Sequence, residues 1–159
     1  MEESFKTYLN AGQRIIQILA NDSAIKEVRF VHHVEKEIPN PLLKEAAKQL
    51  TSYFKSDLKQ FDLPLEPDGT AFQQKVWKLL QKIPYGKTWT YASLAEKLGD
   101  PKTIRAAANA NGKNPIPILI PCHRVIGTDG SLTGYSGGLE NKKWLLTLEN
   151  ANGVLSLFP

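Results

Sequence analysis

The stretch NPIPILIPCHRVIG, residues 114–127, holds the only cysteine of the chain, Cys122, and one of its three histidines directly after it. Pro115, Pro117 and Pro121 stiffen the approach. Each proline removes a backbone N–H and locks φ, so Ile116–Pro121 cannot be helical. The segment is expected to be extended and, from its apolar content, buried, delivering Cys122 at a rigid end. A lone cysteine is commonly a small apolar core residue. Here His123 and Arg124 follow it, and a core would have to satisfy both. Cationic and imidazole neighbours lower a thiol pKa, so the local chemistry points to a reactive thiol, with a core cysteine as the alternative.

The flanks of this stretch set the architecture. Upstream, Thr90 can cap the helix YASLAEKL, Gly99 closes it, and Asp100-Pro101 starts a second helix, KTIRAAANAN, residues 102–111. Alanines occupy 106, 107, 108 and 110. Such a helix either packs closely on a neighbour or lays its small face on nucleic acid while Arg105 projects; spacing alone decides nothing. Before it, Thr70 caps AFQQKVWKLLQKI, with an apolar stripe at Phe72, Val76, Trp77, Leu79, Leu80 and Ile83. FDLPLEPDGT, residues 61–70, reads as extended chain plus linker, which places a domain boundary between residues 66 and 67. In the first part, Gln13–Ala20 and Ile25–His33 read as strands around the turn-like NDSA. Pro39-Asn40-Pro41 then opens a helix with Leu42, Leu43, Ala46, Ala47, Leu50, Tyr53 and Phe54 on one stripe.

Composition narrows the function classes. The chain has 159 residues, 42% of them hydrophobic, which excludes general disorder. Residues 1–65 carry nine Lys/Arg and nine Asp/Glu, whereas residues 66–159 carry eleven and seven, so the whole net charge of +4 lies in the second part. A basic half suits a polyanionic partner. No apolar run reaches the roughly 18 residues of a membrane span, and the acidic MEESFKTYLN does not read as a signal peptide. One cysteine cannot form an internal disulfide, which suits a reducing cytoplasm. One Cys and three His with no Cys-x-x-Cys pair are a poor zinc set, and His32-His33 reads as a strand-end pair, so no metal is expected.

PCHRVIG followed by GYSGGLENKKWLL resembles the O6-alkylguanine-DNA alkyltransferases, the methylated-DNA–protein-cysteine methyltransferases, and the likeness runs over residues 70–150. The resemblance implies an α+β chain: a small mixed α/β N-terminal domain, 1–66, then a mainly helical C-terminal domain, 67–159, with a winged-helix-like helix-turn-helix. It implies a single-turnover enzyme that moves an alkyl group from guanine O6 in DNA, and from thymine O4 in some cases, to Cys122. His123 would take the thiol proton through a water, Glu149 would orient His123, and Asn114 would hold the turn before the cysteine. Tyr135, the Ser136 N–H and the carbonyls of Cys122 and Val125 would bind the base; Tyr91 would press on the adjacent phosphate. Helix 102–111 would enter the minor groove with its small face, Ala106, Ala107 and Ala110, and Arg105 would replace the flipped nucleotide. Lys102, Lys113 and Lys142 would attract phosphates. The resemblance implies no cofactor, a monomer, a double-stranded DNA partner and no membrane. Without it, GYSGG is a plain loop and Glu149 a solvated helix-end carboxylate. A noncatalytic lesion binder, which would lack the thiol, and a cysteine hydrolase, which would need turnover, are the alternatives.

Overall fold

The computed structural model describes residues 4–135 and 137–150. The chain divides into two compact units, Met1–Asp68 and Gly69–Pro159. The first is an antiparallel meander covered by one helix. Strands β1 (Phe5–Ala11), β2 (Arg14–Ala20) and β3 (Ile25–Val31) lie in the order β1-β2-β3. The β1–β2 hairpin turns through Gly12, at φ 63°, a left-handed conformation that glycine adopts without steric cost. Strand β1 was not expected from the sequence, and none of its first six residues is buried. Between β2 and β3, Asn21 Oδ1 accepts from the N–H groups of Ser23 and Ala24, both at 2.8 Å, so NDSA is an Asx-type turn.

Period two puts Ile16, Ile18 and Ala20 on the buried face of β2. Against that face lies α1 (Pro41–Phe54), capped by the Asn40 side chain, which accepts from Leu43 N–H. Its Leu43, Ala46, Leu50 and Tyr53 are buried, and they complete the core with Val28 of β3. The linker-like segment is in part an added edge: Ile25 N–H donates to the Pro64 carbonyl at 2.8 Å and Glu66 N–H to the Ile25 carbonyl at 2.9 Å.

The second unit is mainly helical. It contains α2 (Ala71–Leu80), β4 (Trp89–Thr90), α3 (Tyr91–Lys97), α4 (Ile104–Gly112), β5 (Val125–Ile126) and α5 (Leu139–Glu149). Thr70 and Gln73 form a reciprocal capping box at the start of α2, and Thr90 caps α3 by accepting from Ser93 N–H. A short 3-10 turn, Pro101–Thr103, leads into α4. Helices α2 and α4 are tied by the Trp77 indole, which donates to the Ala110 carbonyl at 2.9 Å from a buried position. The short parallel pair β4–β5, Trp89 opposite Val125 and Thr90 opposite Ile126, sets the start of α3 beside the end of the cysteine stretch.

Ile116–Pro121 is buried as expected but is not extended. The Ile120 N–H donates to the Ile116 carbonyl and the Leu119 N–H to the Pro117 carbonyl, both at 2.9 Å, so the segment doubles back. Ile118 sits at φ 73°, a conformation that β-branched residues avoid. Prolines exclude a helix but permit a tight turn, which a reading from proline alone does not distinguish from a strand.

Trp77→Phe removes the indole donor to the Ala110 carbonyl, which keeps the Lys113 N–H at 3.2 Å, and leaves a small void because phenyl is smaller than indole. It is expected to cost about 1–3 kcal/mol, from one lost buried hydrogen bond and the lost packing of the larger ring, as read by urea denaturation followed by far-ultraviolet circular dichroism.

Candidate active site

Cys122 opens a 3-10 turn, Cys122–Arg124, and is 1% exposed. Its N–H donates to the Ile120 carbonyl at 2.7 Å. Asn114 ties off the doubled-back turn before it: Nδ2 donates to the Ile120 carbonyl at 2.8 Å and Oδ1 accepts from Ile116 N–H at 3.0 Å. Burial pushes the Cys122 thiol up to about 11, although the Asn114 amide and the Lys142 ammonium pull the other way. This corrects the expectation of a thiol activated at rest: desolvation outweighs the favourable neighbours. In the free protein Cys122 is a protonated thiol at neutral pH.

His123 is fully buried, and its Nε2 lies 2.7 Å from Glu149 Oε2. Burial lowers the imidazole pKa against the attraction of Glu149, so the ring is neutral at neutral pH. Glu149 is the last residue of α5, where the helix C-terminus disfavours negative charge. Burial would also push its carboxyl up, but His123 and Arg124 outweigh both effects and hold it well below the usual carboxylate range. Arg124 supplies a fork: Nε to Glu149 Oε1 at 2.9 Å and Nη2 to Oε2 at 3.0 Å, while Nη1 donates to the Ile83 carbonyl at 2.7 Å. An ionised carboxylate only accepts, so His123 Nε2 is the protonated nitrogen and Nδ1 carries the lone pair. Nδ1 is buried with no hydrogen-bond partner among the described residues. The motif pointed to Arg124 only as a polar neighbour; its clamp on Glu149 has no sequence signal, since its acceptors are 41 residues upstream and 25 downstream.

Lys142 is a second correction. Expected on the surface as a phosphate contact, it is fully buried. Its ammonium donates to the carbonyls of Val125 at 2.6 Å and Thr133 at 2.7 Å and to the Tyr91 hydroxyl at 3.4 Å. Burial lowers its pKa to about 8 against the attraction of Cys122. Tyr91 is also buried, and its hydroxyl donates to the Thr133 carbonyl at 2.7 Å. Here the ring supports the loop before Tyr135. Gly134, at φ 67°, lets that loop run close: a Cβ there would lie 3.0 Å from the Tyr91 hydroxyl oxygen.

The base-binding candidates gather around the thiol. Tyr135 is buried, its hydroxyl has no hydrogen-bond partner among the described residues, and burial holds its pKa well above 10. The Val125 carbonyl accepts from Lys142 at 2.6 Å, and the Cys122 carbonyl accepts from Asn111 Nδ2 at 3.3 Å and from the Val125 N–H. Ser136 lies outside the described residues.

The α4 candidates separate by face. Lys102, Arg105, Ala106 and Lys113 are exposed. Ala107 and Ala110 are buried, which corrects their assignment to a DNA-facing surface: close packing of α4 on α2 and α3 takes that side of the helix. Ile104, 38% exposed beside Arg105, is a surface apolar residue that the sequence reading did not single out.

Comparison with known proteins agrees along both units. Residues 71–151 match the 6-O-methylguanine DNA methyltransferase DNA-binding domain, and residues 11–67 match the ribonuclease-like domain of the same proteins. The chain is 47% identical over 144 residues to a methylated-DNA–protein-cysteine methyltransferase of Methanosarcina barkeri, covering 86% of this chain and 91% of the relative. It is 51% identical over 115 residues to the constitutive enzyme of that name from Bacillus subtilis, covering 72% and 68%. The fold superposes on the crystal structure of the Mycobacterium tuberculosis O6-methylguanine methyltransferase with a TM-score of 0.84 and 38% identity, covering 99% and 100% of the two chains. Another structure, that organism's OGT in complex with DNA, gives 0.80 and 39%, covering 98% and 99%. The chain belongs to the methylated-DNA–protein-cysteine methyltransferase family.

The raised thiol pKa makes a direct expectation. Iodoacetamide should alkylate native Cys122 slowly at pH 7.5, with a rate still climbing between pH 9 and 10.5, because thiolate forms only near the folded pKa of about 11. In urea the rate should level off above about pH 9, the range of a solvated thiol. A native profile that levels off with the unfolded one would contradict the burial effect.

Proposed function

We propose that the protein repairs alkylated DNA by moving an alkyl group, methyl foremost, from O6 of guanine to Cys122 Sγ in one irreversible step. The observation that carries this reading is the single buried thiol beside a neutral imidazole whose free Nδ1 and ionised Glu149 form a proton-accepting relay. The bond from carbon to O6 breaks as the bond from carbon to Sγ forms. The thiol proton passes to His123, through a water where the gap requires one, and the departing guanine oxygen is met by a hydrogen-bond donor, the role proposed for the Ser136 N–H. Burial disfavours the thiolate until substrate is present, and the reacting carbon then takes the electron pair as the proton leaves.

A stacked base cannot bring its O6 to a thiol that is 1% exposed, so the target nucleotide must leave the duplex. Helix α3, the turn after it and α4 are read as a winged-helix-like helix-turn-helix. Its exposed face, with Arg105, Ala106, Lys102 and Lys113, lies in the minor groove, and Arg105 fills the space of the flipped nucleotide. The protein acts as a monomer in the cytoplasm, where a lone thiol stays reduced. Transfer from O4-alkylthymine is the narrower extension of the same chemistry. A cysteine hydrolase is the competing reading, and turnover separates the two.

With O6-methylguanine DNA in excess, repaired guanine should plateau at about one equivalent per active molecule, with the mass gain of one methyl on Cys122. Cys122→Ala should abolish transfer while DNA binding remains. Sustained turnover would sink the single-use reading. Arg105→Ala should slow transfer from duplex DNA at least about tenfold more than transfer from free O6-benzylguanine, because unstacking costs a few kcal/mol only in a duplex. Equal slowing on both substrates would remove Arg105 from the flipping role.

A further inference from the structure

Between Asp68 and Glu96 the chain carries no acidic residue, and its only charges are four lysines, Lys75, Lys78, Lys82 and Lys87. All four are exposed, and none forms an ion pair among the described residues. Lys75 and Lys78 lie on α2. Lys82 lies in the turn that continues it, where its N–H donates to the Leu79 carbonyl at 2.9 Å. At about 100° per residue, positions 75, 78 and 82 fall on one face of the helix. Val76, Trp77 and Leu80 occupy the opposite face and are buried.

Like charges three and four residues apart repel, so such a row weakens the helix that carries it. The dipole of α2 favours cations near its C-terminus, which accounts for Lys78 and Lys82 but not for Lys75. A polyanion laid along the row turns that repulsion into attraction. The spacing suits a phosphate backbone: seven residues of helix rise about 10 Å, and three nucleotides of one DNA strand also advance about 10 Å along the duplex axis.

The row faces away from the helix read as entering DNA. Trp77, on the buried face of α2, donates to the carbonyl of Ala110, on the buried face of α4. The two helices thus meet back to back, with the lysine row outward on one side and Arg105 and Ala106 outward on the other. Duplex DNA is stiff over about 150 base pairs, so a segment seated on α4 does not wrap round to α2.

We propose that Lys75, Lys78 and Lys82 form a second DNA-binding face, which holds the phosphates of a duplex segment other than the one that α4 engages, so that one molecule bridges two segments. This rests on the DNA-repair reading above, which supplies the first segment. With two faces, the protein passes between segments without release, which shortens the search for a damaged base.

The test loads the full chain onto an immobilised duplex of about 30 base pairs at about 50 mM salt, washes it, and adds a fluorescent duplex of the same length. The wild-type protein should retain the fluorescent duplex, less so as salt rises. The triple variant Lys75→Gln, Lys78→Gln, Lys82→Gln should still hold the immobilised duplex and react with free O6-benzylguanine at the wild-type rate, which shows that it is folded. It should retain at least about tenfold less of the fluorescent duplex. Arginine at the same three positions should keep retention, because the row acts by charge. A wild-type protein that holds one duplex but captures no second, or a glutamine variant that captures as much as wild type, overturns the proposal. So does a glutamine variant that loses the immobilised duplex, which would put the lysines on the first segment. A wild-type protein that holds no duplex at all overturns the DNA-binding reading itself, a result distinct from failure to bridge.

Discussion

The Glu149 carboxylate is ionised and buried at the negative end of a helix, where His123 donates to one of its oxygens and Arg124 grips both. Everything chemical in the second unit leans on that pair. The charge on Glu149 makes it an acceptor, which puts the His123 proton on Nε2 and leaves the lone pair on Nδ1. The third arm of the guanidinium reaches the Ile83 carbonyl, so the turn after α2, the cysteine turn and the last residue of α5 meet at one cation. Removing either partner of such a buried pair strands the other charge and typically costs about 3–5 kcal/mol. The same contacts therefore hold the fold together and assign the protons.

Lys142 does for the opposite side of the thiol what Arg124 does for the histidine. A buried ammonium must spend its donors, and this one faces three oxygens, from β5, from the loop at Thr133 and from α3. It thereby fixes the distance between the cysteine turn and the loop that carries Tyr135. It also places a positive charge near Cys122, which favours thiolate once the thiol is asked to ionise. At rest desolvation prevails and holds the thiol protonated.

Much of the architecture was legible along the chain because its signals are local. Thr70, Thr90 and Asn40 announce helix starts through bonds that reach only two or three residues, and those starts are where the structure has them. The apolar stripes of α1 and α2 likewise name the residues that pack. Strand β1 escaped because its burial is partial and its partner, rather than its own composition, makes it a strand. The cysteine segment was legible as non-helical and buried, but its reversal at Ile118 depends on Asn114 and on the packed isoleucines around it.

The sequence by itself determined the order of the main elements after β1, the place of the only thiol and, through PCHRV and its neighbours, the family. Only the tertiary structure decided what the charged residues do. Arg124 and Lys142 look alike in sequence to surface cations, as Ala107 and Ala110 look like exposed companions of Ala106. Their roles come from burial and from partners far away in the chain, and a cation removed from water must find acceptors wherever the fold brings them. That constraint acts through space, so it is absent from the spacing of residues and present only in the folded unit.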